Sequence, residues 1–344
     1  MGERRYRVAQ WATGHTGMHS LRNVIEHPRY DLVGVYVYSD TKVGKDAGEL
    51  CGMDPTGIMA TRDIDKIIAT QPDCVLYMPL MDHHSIDDMC RLLASGANIV
   101  TTATYFHHPA TMDPDARKQL EAACERGGTS LYDTGGAPGF IVEAFPLAAL
   151  LMERRLNRYS VVQFANVSHR KSPDFLNAWF GLDPATADLS RGLDHLAATD
   201  GAALRQLGDA IGTPLDDVKT SAAVATATKP TKVGVTMIEA GTVAAWRLEV
   251  SGLRAGKPYL DFSRTMYVSK DLDPDWQVQE TGWHVIVNGD APMDIEIRFP
   301  EPEVYHPISA GYNAHVPVNS VAAVCEAAPG IRTTADLRLV PIFE

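Results

Sequence analysis

The chain has 344 residues, 45% of them apolar, enough to bury a large core and, by length, to form about two domains. Its 31 Lys and Arg against 43 Asp and Glu leave a formal charge of −12, a field that repels polyanions, so neither nucleic acid nor an anionic membrane is expected as a partner and any phosphate must be bound locally. Cys51, Cys74, Cys90, Cys124 and Cys325 form no CxxC pair, which argues against a disulfide framework or zinc knot; with no run near the ~18 apolar residues of a membrane span and no signal-peptide pattern, a soluble cytoplasmic protein is expected.

From Tyr6 to Tyr132 short apolar runs alternate with longer mixed segments. Strands are predicted in YRVAQWA (6–12), LVGVYVY (32–38), CVLYM (74–78), ANIVTT (97–102) and TSLYD (129–133), with helices near 17–27, 62–70, 85–95 and 114–126. This rhythm predicts an α/β domain over 1–142, a doubly wound parallel sheet of the Rossmann type with helices on both faces.

After Glu143 the pattern changes. A helix-rich insert occupies about 173–215, and from Lys232 the apolar period becomes two, as in WRLEVSG (246–252) and MDIEIRF (293–299). NGDAP (288–292) reads as the turn of a hairpin. A second, α+β domain with a mostly antiparallel sheet is therefore predicted over 143–312. The tail 313–344 reads as a helix opened by Pro317 and closed by APG.

The stretch WATGHTGMHSLR follows the first strand and opens the first helix, with Gly14 and Gly17 in the loop. Such a loop turns backbone N–H groups and a helix N-terminus toward a pyrophosphate, which makes Gly14, His15, Thr16, Gly17 and Met18 candidate dinucleotide contacts. Ala12 stands where the first glycine of GxGxxG would be. At the end of the second strand, where NAD-binding domains keep a ribose-binding carboxylate, the chain has Ser39, with Lys42 close behind. A hydroxyl and an ammonium suit a 2′-phosphate, so NADP(H) is the preferred cofactor; Asp40 keeps NAD(H) open. Met78 and Pro79 and then Thr102 end further strands at their carboxyl edge, where open sheets bind ligands, and should border the nicotinamide ribose.

The loop TTATYFHHP (101–109) supplies three candidates for proton transfer, Tyr105, His107 and His108, since a phenol donates to a developing alkoxide and histidine titrates near neutrality. The bland alternative is that Tyr105 and Phe106 pack beneath the cofactor while the histidines hydrogen-bond a turn ending at Pro109. Zinc is not expected: His83, His84, His107 and His108 form adjacent pairs, each offering one ligand at best. In YDTGGAPGF (132–140) the Gly136 backbone faces the nicotinamide carboxamide or serves a glycine-dependent crossover. Phe140, with Phe164, Asn166, His169 and Trp283, makes a candidate substrate pocket in a cleft between the domains.

QWATGHTGMHSLR with VGVYVYSDTKVGKDAGEL, the TTATYFHHP loop and PVNSVAAVCEAAPGIRT together resemble the amine dehydrogenases related to 2,4-diaminopentanoate dehydrogenase, a dihydrodipicolinate reductase-like family, over nearly the whole chain. YDTGGAPGF resembles the family's GTG-x-PGF segment. The resemblance implies a Rossmann domain, an α+β domain whose sheet makes a homodimer, a final helix returning to the Rossmann domain, and NAD(P)H-dependent interconversion of an amine with a ketone or aldehyde. It also implies a glutamate after the fifth strand that polarises ammonia or water. That place falls at or beside Tyr105, and ATYFHH holds no carboxylate. The partner is thus a small carbonyl or amine substrate; reduction of a carbonyl without ammonia, or cofactor binding without catalysis, are the rival readings.

Overall fold

In a computed structural model, residues 4–170, 173–234, 236–300 and 302–342 are described. Lys171 and Ser172, just before the expected insert at about 173–215, lie outside them. The chain forms two compact units, one running to Ala144 and resuming at Ile308, the other spanning Phe145–Pro307. The sequence boundaries expected for these were 142 and 312.

The first unit begins with β1 (Tyr6–Trp11), α1 (His15–Glu26), β2 (Tyr30–Tyr36), α2 (Ala47–Cys51), β3 (Ala60–Thr61) and α3 (Ile64–Ala69). It continues through β4 (Cys74–Tyr77), α4 (Ile86–Ala94), β5 (Asn98–Thr101), α5 (Pro114–Gly127) and β6 (Ser130–Asp133). Local chemistry marks the helix ends: Ser85 accepts from the Asp88 N–H at 3.1 Å and Asp113 from the Ala116 N–H at 2.9 Å, while Gly128 closes α5 at φ 66°. Trp11, Val75, Tyr77, Leu92 and Ile99 meet in one core layer and Tyr6, Val8, Leu76 and Val100 in another. Alternation along fully buried strands sends successive side chains to helices on opposite faces, and each such large side chain contributes about 1.5–3 kcal/mol.

The second unit holds α6 (Phe145–Ala149), β7 (Leu156–Asn166), α7 (Pro173–Trp179), α8 (Ser190–Ala198), α9 (Asp200–Ala210), β8 (Asp217–Ala227), β9 (Thr231–Val233) and β10 (Thr236–Ile238). Then come β11 (Val243–Arg254), β12 (Lys257–Tyr267), β13 (Leu272–Asp273), β14 (Gly282–Gly289) and β15 (Met293–Arg298). Seven of these strands form a sheet ordered β13-β8-β11-β12-β7-β14-β15, antiparallel except where β12 runs with β7. The insert is indeed helical. Gly192 of α8 lies against Leu248 and Gly201 of α9 against Val218 and Val250, so the insert covers one face of the sheet. The opposite face carries Ser221, Glu249, Ile286 and Asn288, and Ile286 is 40% exposed.

The final helix, α10, spans Pro302–Cys325, and β16 (Gly330–Arg332) follows it. Pro317 is therefore not in the first turn, as the sequence suggested; it sits deep in a helix that starts 15 residues earlier, where it can donate no N–H to the carbonyl of Asn313. β16 pairs in parallel with β6, completing a sheet of the first unit ordered β16-β6-β5-β4-β1-β2-β3. Every pairing in it is parallel, and β1 and β4 flank the point where chain order reverses. Among the described residues no helix is long and apolar enough to cross a membrane.

Candidate functional site

Open parallel sheets take ligands outside the carboxyl ends of their strands at the reversal point, here between β1 and β4. A cavity of about 380 Å³ lies there in the first unit. Nine predicted residues line it: Gly14, His15, Thr16, Gly17, Ser39, Lys42, Met78, Pro79 and Thr102. Among the described residues no carboxylate does.

The loop from β1 to α1 is built on steric demands. Ala12 holds φ 70°, a left-handed conformation that the motif's first glycine would adopt without cost. At Gly17 a Cβ would stand 2.2 Å from the Ala12 carbonyl oxygen, so only glycine lets α1 approach the strand. Nothing lies within 4 Å of a Cβ at Gly14, which caps α1 without a side chain. The first turn of the helix, with no side-chain cap on its amides, thus borders the cavity, where its dipole suits a pyrophosphate. Met18 does not join them: its N–H is donated to the Gly14 carbonyl, and it is absent from the cavity wall.

At the β2 edge the Lys42 ammonium donates to the Thr13 carbonyl at 2.7 Å and to its hydroxyl at 3.1 Å. Ser39 and Thr41 pair their hydroxyls at 2.8 Å, and Asp40 is ion-paired to Arg62. Tyr38 and His83, which sequence reasoning passed over as cavity residues, stack at 4.4 Å, with the Tyr38 hydroxyl donating to the His83 carbonyl and accepting from the Trp11 indole. His84, one residue on, turns inward against Tyr77 and Phe106, where burial pushes its imidazole down to about 4.

The 101–109 loop is pinned from beneath. Asp133, at the end of β6 and in register with Thr101, accepts from the N–H groups of Thr104 (3.1 Å) and Phe106 (2.9 Å). Thr104 needs this clamp, since its φ is 66°. His107 does not face the cavity: its side chain is wholly buried, with Nδ1 2.7 Å from Glu143 and Nε2 3.9 Å from Asp133. Glu143 in turn accepts from Thr334, whose hydroxyl lies 3.0 Å from that of Tyr132. Burial pushes the Asp133 carboxyl up, while His107 and the two amides favour its ionised form.

His108 is also buried, its Nδ1 3.1 Å from the Thr111 hydroxyl in the turn after Pro109. Of the three proton-transfer candidates only Tyr105 is half-exposed; its ring packs at the core edge beside His84, and burial raises its phenol. Gly136 is off the cavity wall as well; its N–H is donated to the carboxamide oxygen of Asn313, which does line it, at 2.7 Å.

The substrate-pocket candidates are divided between the two units. Phe140 belongs to the first unit, is 36% exposed and donates its N–H to the Gly135 carbonyl. In the second unit Phe164 and Trp283 border a cavity of about 320 Å³, yet the pairing of Phe164 with Gly282 sends the two rings to opposite faces of the sheet. Asn166 shares the face of Phe164 and accepts from the Ser168 N–H. His169 stacks on His306 at 3.3 Å, and burial, then the neighbouring imidazole, push it down to about 4.

Residues 195–343 match the family model of the 2,4-diaminopentanoate dehydrogenase C-terminal domain. The chain is 29% identical to an amine dehydrogenase of Streptomyces virginiae over 346 residues, covering 96% of each. Among solved structures it superposes on an amine dehydrogenase from Mycobacterium smegmatis with a TM-score of 0.77, 18% identity, and 98% and 97% of the two chains covered. It shares the fold, with a TM-score of 0.52 and 18% identity, of GenD2 from gentamicin A biosynthesis, solved with NAD, over 97% and 90% of the chains. Together with the parallel-sheet unit and its glycine loop, these show a chain similar over nearly its whole length to an amine dehydrogenase, and they support an NAD(P)-dependent oxidoreductase.

Proposed function

We propose that the protein interconverts a small amine with its ketone or aldehyde, using NADP(H) in preference to NAD(H). The observation that carries the cofactor assignment is the cavity wall itself: a helix N-terminus with no side-chain cap, an open Gly14, Lys42 and two histidines, with no carboxylate among the described residues. Ser39 and Lys42 would take the 2′-phosphate, while Asp40, beside Ser39 in sequence, is paired with Arg62. The nicotinamide supplies the hydride exchange. The chain's own residues orient it, with Met78, Pro79 and Thr102 along its ribose side, and Tyr105, whose raised phenol stays protonated at neutral pH, donates the proton.

One observation favours a second reading, carbonyl reduction without ammonia. Asp133 and Glu143 are buried and engaged by His107, so neither replaces the carboxylate missing from ATYFHH. Mixing the protein with NADPH and a panel of ketones and aldehydes, with and without ammonium, separates the two. Consumption of NADPH only with ammonium supports amine formation; equal consumption without it sinks that reading. In the same assay Tyr105→Phe should lose about 10²–10⁴-fold in kcat if the phenol is the donor.

The face of the second unit's sheet opposite α8 and α9 is assigned here to a second copy of the chain. Its exposed Ile286 amid polar side chains suits a two-fold pairing. Light scattering should give twice the 37.5 kDa of one chain, and Ile286→Lys should lower it toward one; an unchanged mass for the variant rejects this face.

A further inference from the structure

One wall residue of the dinucleotide cavity comes from neither the glycine loop nor the strand ends. Asn313 projects from α10, the helix that returns to the first unit, and lines the cavity together with Gly14 and Thr102. Its carboxamide has only one possible orientation, because the Gly136 N–H can only donate and therefore fixes Oδ1 toward itself at 2.7 Å. The turn is shaped to receive it: a Cβ at Gly135 would stand 2.6 Å from that oxygen. With Oδ1 committed, the Nδ2 amide is the group left to meet a ligand, and it has donors but no acceptor capacity.

The position along the sheet says which half of a dinucleotide it meets. Ser39 and Lys42, after β2, mark the adenosine side; the Gly135–Gly136 turn follows β6, on the opposite side of the β1–β4 reversal point. We infer that Asn313 is a cofactor-positioning residue, its Nδ2 donating to an oxygen of the nicotinamide half, on the carboxamide or the ribose. This rests on the reading of the cavity as a dinucleotide site.

Asn313→Asp separates that role from a merely structural one. The aspartate is nearly isosteric and still accepts from the Gly136 N–H, but it presents an anion where the amide presents a donor. The variant should unfold within a few degrees of the wild type and bind NADPH ten- to a hundredfold more weakly. Its affinity for adenosine 2′,5′-bisphosphate, which lacks the nicotinamide half, should be unchanged. Asn313→Ala, which abandons both bonds, should lose NADPH affinity and thermal stability together. NADPH binding by Asn313→Asp within twofold of wild type overturns the assignment, as does an equal loss of the bisphosphate. Failure of the wild-type protein to bind either compound overturns the dinucleotide reading and this assignment with it, a result distinct from a variant-specific loss.

Discussion

His107→Leu is expected to destabilise the first unit by about 3–5 kcal/mol, the cost of removing one partner from a buried ionic group. The imidazole stands between Glu143 at 2.7 Å and Asp133 at 3.9 Å, and both acidic residues are only 2% exposed. Leucine fills much of the same volume but leaves both without it. For a unit of this size the thermal midpoint should fall on the order of 10 °C, measured by calorimetry. Against a typical total of about 5–15 kcal/mol, that is a large fraction of the stability.

The loss should depend on pH in a stated direction. Burial already holds the Asp133 carboxyl above its ordinary 3.8, and His107 opposes that rise. Removing His107 raises it further. A group whose folded-state pKa is raised is most stabilising when protonated, below its unfolded value, and loses that contribution as pH climbs through the folded one. The gap between variant and wild type should therefore be widest at neutral pH and narrow as the solution is acidified toward 4. A gap independent of pH would show that leucine fails through shape alone. His107→Gln, which keeps a hydrogen-bonding side chain, should recover part of the midpoint.

That cluster also shows where the sequence stopped being legible. The parallel sheet could be read because fully buried strands leave continuous apolar runs, and the cavity's edges because ligand-facing residues follow those runs directly. The roles of His107 and His108 could not, since what decides them is contact with residues far along the chain. Glu143 carries a visible trace, a lone carboxylate in the apolar FIVEAF, and Asp133 ends a strand just before a glycine turn. Neither trace names its partner. Asn313 was hidden for another reason: Pro317 reads as the opening of a helix, yet it lies inside α10, so the sequence starts the helix after the residue that matters.

The glycine loop offers a pair of substitutions with opposite signs. Gly17→Ala places a Cβ 2.2 Å from the Ala12 carbonyl oxygen and 3.0 Å from its carbon, contacts with backbone that no rotamer can relieve. Either α1 or the end of β1 must shift, an overpacking cost of about 1–3 kcal/mol. The shift moves the amides that would meet the pyrophosphate, so NADPH affinity should fall by more than tenfold in a fluorescence titration. Ala12→Gly acts on the other side of the same contact. At φ 70° the alanine gives up roughly 1–2 kcal/mol to its Cβ, whereas glycine costs only about 0.4–1 kcal/mol in added freedom of the unfolded chain. The difference favours glycine, and the midpoint should rise by a few degrees with NADPH affinity kept. If Ala12→Gly instead weakens cofactor binding while stabilising the fold, the strained alanine is holding the loop in its binding conformation, and strain there serves the site rather than merely being tolerated by it.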